Sequence, residues 1–242
     1  MKRAVKAIAV VAGVFITYLM LHYACAWILP FGTHVNTMCA NGVMMLSTVV
    51  FAFGCRRSPL KTIGGDVFSV RAVPFAIGVG IGMCFLVRLM LLTVPFPDSW
   101  NTSYTVRVQA VQEPTVWRWL SVLAVAPLAE EIVFRGVIYR VLRGAMPWVA
   151  ATGLSAALFA VLHGTPMWIL YTWLLGFVLC RVYDCTKSVW LCAAAHAAFN
   201  FAGQTAIIGV LPTGAAVMLF AVGILTLVLC LWCLEKTKRA VT

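Results

Sequence analysis

The chain has 242 residues, of which 63% are hydrophobic and 10% are charged, and its formal net charge is +11. A soluble domain carries about 25% charged residues, so this composition excludes one soluble domain with all its apolar side chains in a single core. Apolar runs of about 20 residues indicate instead an all-α protein that crosses a membrane several times. The positive charges lie between these runs and form no single patch, so we expect no nucleic-acid partner.

The apolar runs predict about eight transmembrane helices in one transmembrane domain that covers residues 1–242. The predicted helices span residues 5–29, 35–54, 72–95, 117–142, 148–163, 166–183, 189–210 and 213–234. Turn-forming residues separate them, as at Leu29-Pro30 and Gly164-Thr165-Pro166. The first apolar run exceeds the 7–15 residues that are usual in a signal peptide, so we expect it to remain as a helix.

The positions of Lys and Arg predict how the chain lies in the membrane. If the N-terminus is cytoplasmic, 14 of the 18 basic residues fall on the cytoplasmic side, namely Lys2, Arg3, Lys6, Arg56, Arg57, Lys61, Arg71, Arg140, Arg143, Arg181, Lys187, Lys236, Lys238 and Arg239. The outer side holds only Arg107 and Arg118, and segment 97–116 is its longest connection. The positive-inside rule therefore predicts a multi-pass protein of the cell membrane with both termini in the cytoplasm.

The fourth predicted helix carries two adjacent acids in the stretch "LAEEIVFRG". One carboxylate at mid-membrane costs about 2.5–3.5 kcal/mol, so two of them need partners or a function. Glu131 and Arg135 stand four residues apart on one helix face and are expected to pair. Glu130 points to another face, where its neighbour at the same spacing is Phe134. The spacing therefore assigns Glu131 to structure and leaves Glu130 available for another group.

Two histidines lie in other apolar helices at compatible depths. His163 ends the fifth helix, four residues after Phe159, and His196 precedes Asn200 by four residues in the seventh. Intramembrane polar residues that can converge indicate a functional site. A carboxylate and an imidazole can hold and deprotonate water, and a second imidazole with a carboxamide can bind an oxyanion. The set is typical of a hydrolytic site for an acyl group, with a peptide bond as the favoured substrate.

These residues form three motifs, E-E-x-x-x-R, F-x-x-x-H and H-x-x-x-N, in order within residues 125–205. In them the sequence resembles the CPBP family of intramembrane proteases, also called the Abi or CAAX protease-like family. The resemblance implies a glutamate-type endopeptidase that uses no metal or other cofactor, in an all-α core that opens toward the cytosol. The implied catalytic residues are Glu130 and His163, which activate water, and His196 and Asn200, which form the oxyanion hole. The implied supporting residues are Glu131, Arg135 and Phe159.

The resemblance also implies a peptide or protein substrate within the lipid membrane. The short chain and small loops are similar to those of prokaryotic members, which suggests a bacterial cell membrane. Since the family includes members linked to bacteriocin self-immunity and peptide processing, both a lipidated and a peptide-signal precursor are candidate substrates.

Three other interpretations of the same residues stay open at this stage. Glu130, His163 and His196 could instead bind zinc with water as the fourth ligand, although no H-E-x-x-H motif is present. The polar residues could serve a non-catalytic immunity or scaffold protein. Cys192, four residues before His196, could be a nucleophile. The sequence also leaves open whether Arg88 reaches the membrane surface or pairs with a carboxylate of the fourth helix.

Overall fold

The computed structural model describes residues 2–54, 58–110, 115–204 and 213–239, and no strand occurs among them. The all-α fold predicted from the sequence is therefore confirmed. Outside residues 116–143 the α-helices are α1 (Lys2–Ile28), α2 (Thr33–Gly54), α3 (Pro59–Ile63), α4 (Val73–Thr93), α5 (Asp98–Ala110), α7 (Trp148–Val161), α8 (Pro166–Thr186), α9 (Val189–Gln204) and α10 (Thr213–Arg239).

Helix α6 runs through residues 116–143 in five consecutive segments. The segments Val116–Leu120, Ala126–Glu131 and Arg140–Arg143 are α-helical, whereas Ser121–Val125 and Ile132–Tyr139 are π-helical. The first π segment ends at Val125, two residues before Pro127. A proline has no N–H and crowds the carbonyl four residues earlier, so a wider turn lets the helix continue past it. Glu130 and Glu131 consequently lie on a short α-helical segment between two π segments, which are frequent at functional sites.

Each predicted transmembrane helix has a counterpart in the structure, and α3 and α5 are additional. Segment 97–116 was predicted only as an outer connection, yet Asp98–Ala110 form a helix without a buried residue. Residues 205–210 of the seventh predicted helix, and Arg56 and Arg57, lie outside the described residues.

Within the described ranges, three helical stretches are long and apolar enough to span a membrane. They are Lys2–Ile28, Val70–Thr93 and Pro166–Thr186. The chain is an integral membrane protein, while the number of spans and the orientation stay predictions.

Glycines let α4 lie close to both α9 and α10. A Cβ atom on Gly80 would collide with the backbone carbonyl oxygen of Ala195 in α9, and one on Gly82 would lie 2.6 Å from that of Gly223 in α10. Between membrane helices, small residues of this kind allow the backbones to approach closely. Helix α9, which carries His196 and Asn200, is thus positioned by direct backbone contact with α4.

Candidate active site

Glu131 links two helices through a single carboxylate oxygen. Its Oε1 atom accepts hydrogen bonds from Nη1 of Arg135 at 2.7 Å and from Nδ1 of His196 at 2.9 Å. Glu131 and Arg135 are completely buried, and His196 is nearly so. The pair of Glu131 with Arg135 forms as the spacing along α6 predicts. The bond to His196 was not predicted, and it ties α6 to α9.

The guanidinium of Arg135 connects this pair to α7 and α8. Its Nη2 donates a hydrogen bond to the carbonyl of Gly176 in α8 at 3.1 Å. Its Cζ lies 4.6 Å from the ring centroid of Phe159 in α7, within the range of a cation–π interaction. Arg135 is thereby held by two groups besides Glu131 and has little freedom to leave it.

The ring of Phe159 separates the two histidines. Its centroid lies 5.1 Å from that of His163 and 5.6 Å from that of His196, with interplanar angles of 65° and 84°. These are edge-to-face contacts, which aromatic rings favour. Because Phe159 is completely buried, it fixes the planes of both imidazoles as well as the place of Arg135.

His163, which the sequence placed at the end of the helix, lies two residues beyond the last residue of α7, within the tight turn that leads to α8. Gly164 has a φ of 83°, a left-handed conformation that glycine adopts readily, and α8 begins at Pro166. Nδ1 of His163 lies 3.1 Å from the carbonyl oxygen of Phe159. Since a carbonyl can only accept, Nδ1 carries the proton and donates it. The neutral ring then presents Nε2 as a hydrogen-bond acceptor.

Glu130 lies beside His196 but is not tied to it. The distance from Oε2 of Glu130 to Nε2 of His196 is 3.8 Å, which is beyond hydrogen-bond range. The Glu130 side chain is 17% exposed, in contrast to the inaccessible Glu131. Among the described residues no hydrogen bond to the Glu130 carboxylate is found, so its oxygens keep their capacity to bind another molecule.

Asn200 occupies a position created by Pro127. In the first π segment, the N–H of Ala126 donates to the carbonyl of Ser121, five residues earlier. The same pattern would pair the carbonyl of Val122 with residue 127, but proline has no N–H to give. Nδ2 of Asn200 donates to that carbonyl at 2.9 Å instead. One of the two amide hydrogens of Asn200 is used in this bond, and the second is available.

The seven predicted site residues thus belong to one connected set on α6, α9 and the α7 end. Glu130, Glu131 and Arg135 come from α6, Phe159 and His163 from α7 and its turn, and His196 and Asn200 from α9. Glu131 links the α6 residues to His196 of α9. Phe159 of α7 contacts both Arg135 of α6 and His196 of α9. Sequence reasoning missed the backbone acceptors Val122 and Gly176. Of these two acceptors, only the carbonyl of Val122 could have been inferred from the sequence, because Pro127 has no N–H to donate to it.

The structure bears on the alternatives as well. Among the described residues, no group of three or more His, Cys, Asp or Glu side chains is placed to hold a metal ion. Cys192 is fully buried and its Sγ donates to the carbonyl of Leu179 at 3.7 Å, toward α8. For Arg88, which the sequence left open, Nη2 donates at 2.9 Å to the carbonyl of Gly203 in the last turn of α9.

Comparison with known proteins agrees with the motifs. A family model described as Rce1-like, type II CAAX prenyl endopeptidase Rce1-like, matches residues 112–202. The matched region contains all three motifs, and it confirms the resemblance drawn from them. No curated protein and no solved structure matches the chain.

Proposed function

We propose that this chain, a CAAX protease-like intramembrane protease across its matched residues 112–202, is a glutamate-type endopeptidase with Glu130 as its general base. The observation that carries the proposal is the contrast between two neighbouring acids. Glu131 is inaccessible and holds Arg135 and His196, whereas Glu130 is partly accessible and lies against His196 without a hydrogen bond. One acid therefore supports the site and the other can act on a substrate.

In the proposed reaction, Glu130 and His163 hold the attacking water. Nε2 of His163 accepts one hydrogen of the water, and the Glu130 carboxylate removes the other as the oxygen attacks the peptide carbonyl carbon. When the C–N bond breaks, the proton on Glu130 passes to the leaving amine. The products are a carboxylic acid and an amine, and no metal takes part.

His196 and Asn200 are the proposed donors to the oxyanion. Asn200 offers the amide hydrogen that Val122 does not use. His196 already donates from Nδ1 to Glu131, so it can donate from Nε2 only when both ring nitrogens carry protons. In that form two cations, Arg135 and His196, face two anions, Glu130 and Glu131. A cluster without net charge is the arrangement that a buried site tolerates best.

The remaining supporting roles follow from the contacts. Glu131 orients His196, Arg135 balances the charge of Glu131, and Phe159 sets the planes of the two imidazoles. We further place the whole chain, residues 1–242, in one transmembrane domain with both termini in the cytoplasm of a bacterial cell. The proposed substrate is a peptide or protein precursor at the membrane, lipidated or carrying a peptide signal.

The test is cleavage by purified protein reconstituted in detergent or lipid, with a panel of lipidated and unlipidated peptides. Glu130→Gln keeps the shape of the side chain and removes the base, and should abolish cleavage. Glu235→Gln is the matched control, because Glu235 lies on α10 in a partly exposed pair with Arg181. Unchanged cleavage by Glu130→Gln would refute the assignment and favour a non-catalytic role for the cluster.

A further inference from the structure

A lateral groove of about 1010 Å³ opens between α1, α2 and α6, apart from the candidate active site. Its apolar wall includes Val10 and Val14 of α1, Met44 of α2, and Val137 and Val141 of α6. None of the seven site residues lines it. The groove is as large as pockets that bind extended small molecules.

Four of the five hydroxyl groups along the groove donate within their own segment, and the fifth, that of Ser58, accepts from the N–H of Lys61. Thr17, Ser47, Thr48 and Thr62 each donate to the carbonyl four residues earlier, at 2.9, 2.8, 2.9 and 2.9 Å respectively. Since these four hydroxyl hydrogens are directed to the backbone, the wall offers almost no free donor to a ligand apart from Ser58. A hydrocarbon chain fits such a wall without leaving polar groups unpaired.

One end of the groove is cationic. Lys61 of α3 and Arg140 of α6 line it there, and no acidic residue is found among its described lining residues. Nη1 of Arg140 donates to the carbonyls of Lys61 and Thr62 at 2.8 and 3.1 Å, which fixes the guanidinium between α3 and α6. No partner for its Nη2 is found in the described part of the chain. The end of the groove can therefore bind an anion such as a phosphate.

We propose that this groove binds an anionic membrane phospholipid, with one acyl chain along α1, α2 and α6 and the phosphate at Lys61 and Arg140. The apolar wall and the cationic end together match an amphiphile with a negative head. Basic residues between membrane helices recognise anionic headgroups, which are concentrated at the cytoplasmic leaflet. Lys61 and Arg140 lie at the end of the bundle where the sequence predicts that leaflet.

The groove lies apart from the catalytic cluster. Arg140 lies ten residues beyond Glu130, or about 15 Å along the helix. Gly136, which lines the groove between these two positions, lets α3 pack closely against α6, because a Cβ atom there would collide with the carbonyl oxygen of Ile63. A lipid in the groove would thus stabilise the packing of α1 and α2 on α6 without entering the catalytic cluster.

The experiment measures lipid retention by native mass spectrometry and thermal stability in bilayers, and neither readout depends on proteolysis. The protein is compared in phosphatidylglycerol and in phosphatidylcholine with the same acyl chains. We expect one retained phosphatidylglycerol per chain and a higher melting temperature in that lipid. Equal retention and equal stability in the two lipids would overturn the proposal.

Two variants test the two halves of the site. Lys61→Ala should weaken the preference for phosphatidylglycerol about fivefold, the effect of one cation near an anionic headgroup; Lys6→Ala, an exposed lysine of α1, is its control. Gly13→Phe should fill the groove and remove lipid of either kind. A Cβ on Gly13 meets nothing within 4 Å, and the same holds for its control, Gly153→Phe in α7. Retention that is unchanged in both test variants would overturn the proposal.

Other occupants give distinct results. Inorganic phosphate that stabilises the protein as much as the lipid does would reduce the site to a simple anion site and overturn the lipid assignment. If Gly13→Phe instead slows cleavage of a lipidated peptide but not of its unlipidated twin in lipid-free detergent, the groove holds the substrate's lipid and the proposal is wrong.

Discussion

Oε1 of Glu131 lies 2.9 Å from Nδ1 of His196, so a buried acid on α6 sets the orientation of an imidazole on α9. The same oxygen binds Arg135. This shared contact gives Glu131 a structural role that Glu130 does not have, although the two residues are chemically identical and adjacent in the sequence. Each of the following expectations depends on that difference or on the groups around it.

Replacing Glu131 should damage the fold. Glu131→Gln leaves the buried guanidinium of Arg135 without a counter-charge, which costs about 3–5 kcal/mol when one partner of a buried pair is removed. Unfolding of the reconstituted protein by denaturant measures this loss. The double variant Glu131→Gln with Arg135→Met removes both charges and should recover much of the stability but not the cleavage. A single variant as stable as wild type would contradict the central place of this pair.

Replacing Glu130 should reduce cleavage while leaving the stability of the protein unchanged. Because its carboxylate makes no hydrogen bond within the described residues, Glu130→Gln should unfold at the denaturant concentration of wild type. Cleavage in a single-turnover assay should fall on the order of 10²–10⁴-fold, as expected for loss of a general base. A large loss of stability in this variant would show that Glu130 is a structural group like Glu131.

The variant His163→Asn distinguishes the roles of the two ring nitrogens of His163. An asparagine amide can still donate to the carbonyl of Phe159, but it lacks an acceptor in the place of Nε2. We expect a loss of cleavage on the order of 10²-fold or more with an unchanged melting temperature. The matched control is His22→Asn, because Nδ1 of His22 makes the equivalent bond to the carbonyl of Tyr18 at 2.9 Å. Similar effects of the two variants would mean that the ring acts only through packing.

The two roles of Asn200 can be separated with Pro127. Asn200→Ala should lower kcat about 10²–10³-fold through loss of an oxyanion donor, and should also destabilise the helix because the carbonyl of Val122 loses its partner. Pro127→Ala restores an N–H that can bond to Val122. In that background the stability cost of Asn200→Ala should shrink while its catalytic cost persists. A double-mutant cycle that measures both stability and kcat checks this. If Pro127→Ala reduced the loss of kcat as much as the loss of stability, the catalytic role of Asn200 would be refuted.

Chelators and thiol reagents address the zinc and cysteine interpretations. We expect cleavage to survive prolonged dialysis against a chelator, with less than one equivalent of zinc bound in the purified protein. Blocking of accessible thiols should also leave cleavage intact, since Cys192 is fully buried. Activity that is lost on dialysis and restored by zinc would make Glu130 and the histidines ligands rather than acid–base groups.

Periodicity in the sequence was sufficient for contacts within a helix and insufficient for contacts between helices. The pairing of Glu131 with Arg135 follows from the rise of one helix, so it could be predicted. The bond from His196 to the same oxygen depends on how closely α9 approaches α6, which the periodicity of either helix does not determine. Arg88 shows the same limit, because its partner is a backbone carbonyl that no side-chain pattern reveals. Helix α5 escaped prediction because it buries no residue and so carries no apolar stripe.

The π segment Ile132–Tyr139 makes the length of α6 as important as its composition. An α-helix advances about 100° per residue, and the wide π turns of this segment already accommodate an extra residue, so inserting one more between Arg135 and Tyr139 would swing the rest of the helix through about that angle relative to Glu130. The hydroxyl of Tyr139, which now donates to Asp184 at 2.6 Å, would turn away from α8. Arg140 would rotate out from under α3 at the same time. A single-codon insertion between Arg135 and Tyr139 would therefore break the contacts of Tyr139 and Arg140 with their neighbouring helices while leaving all three motifs intact.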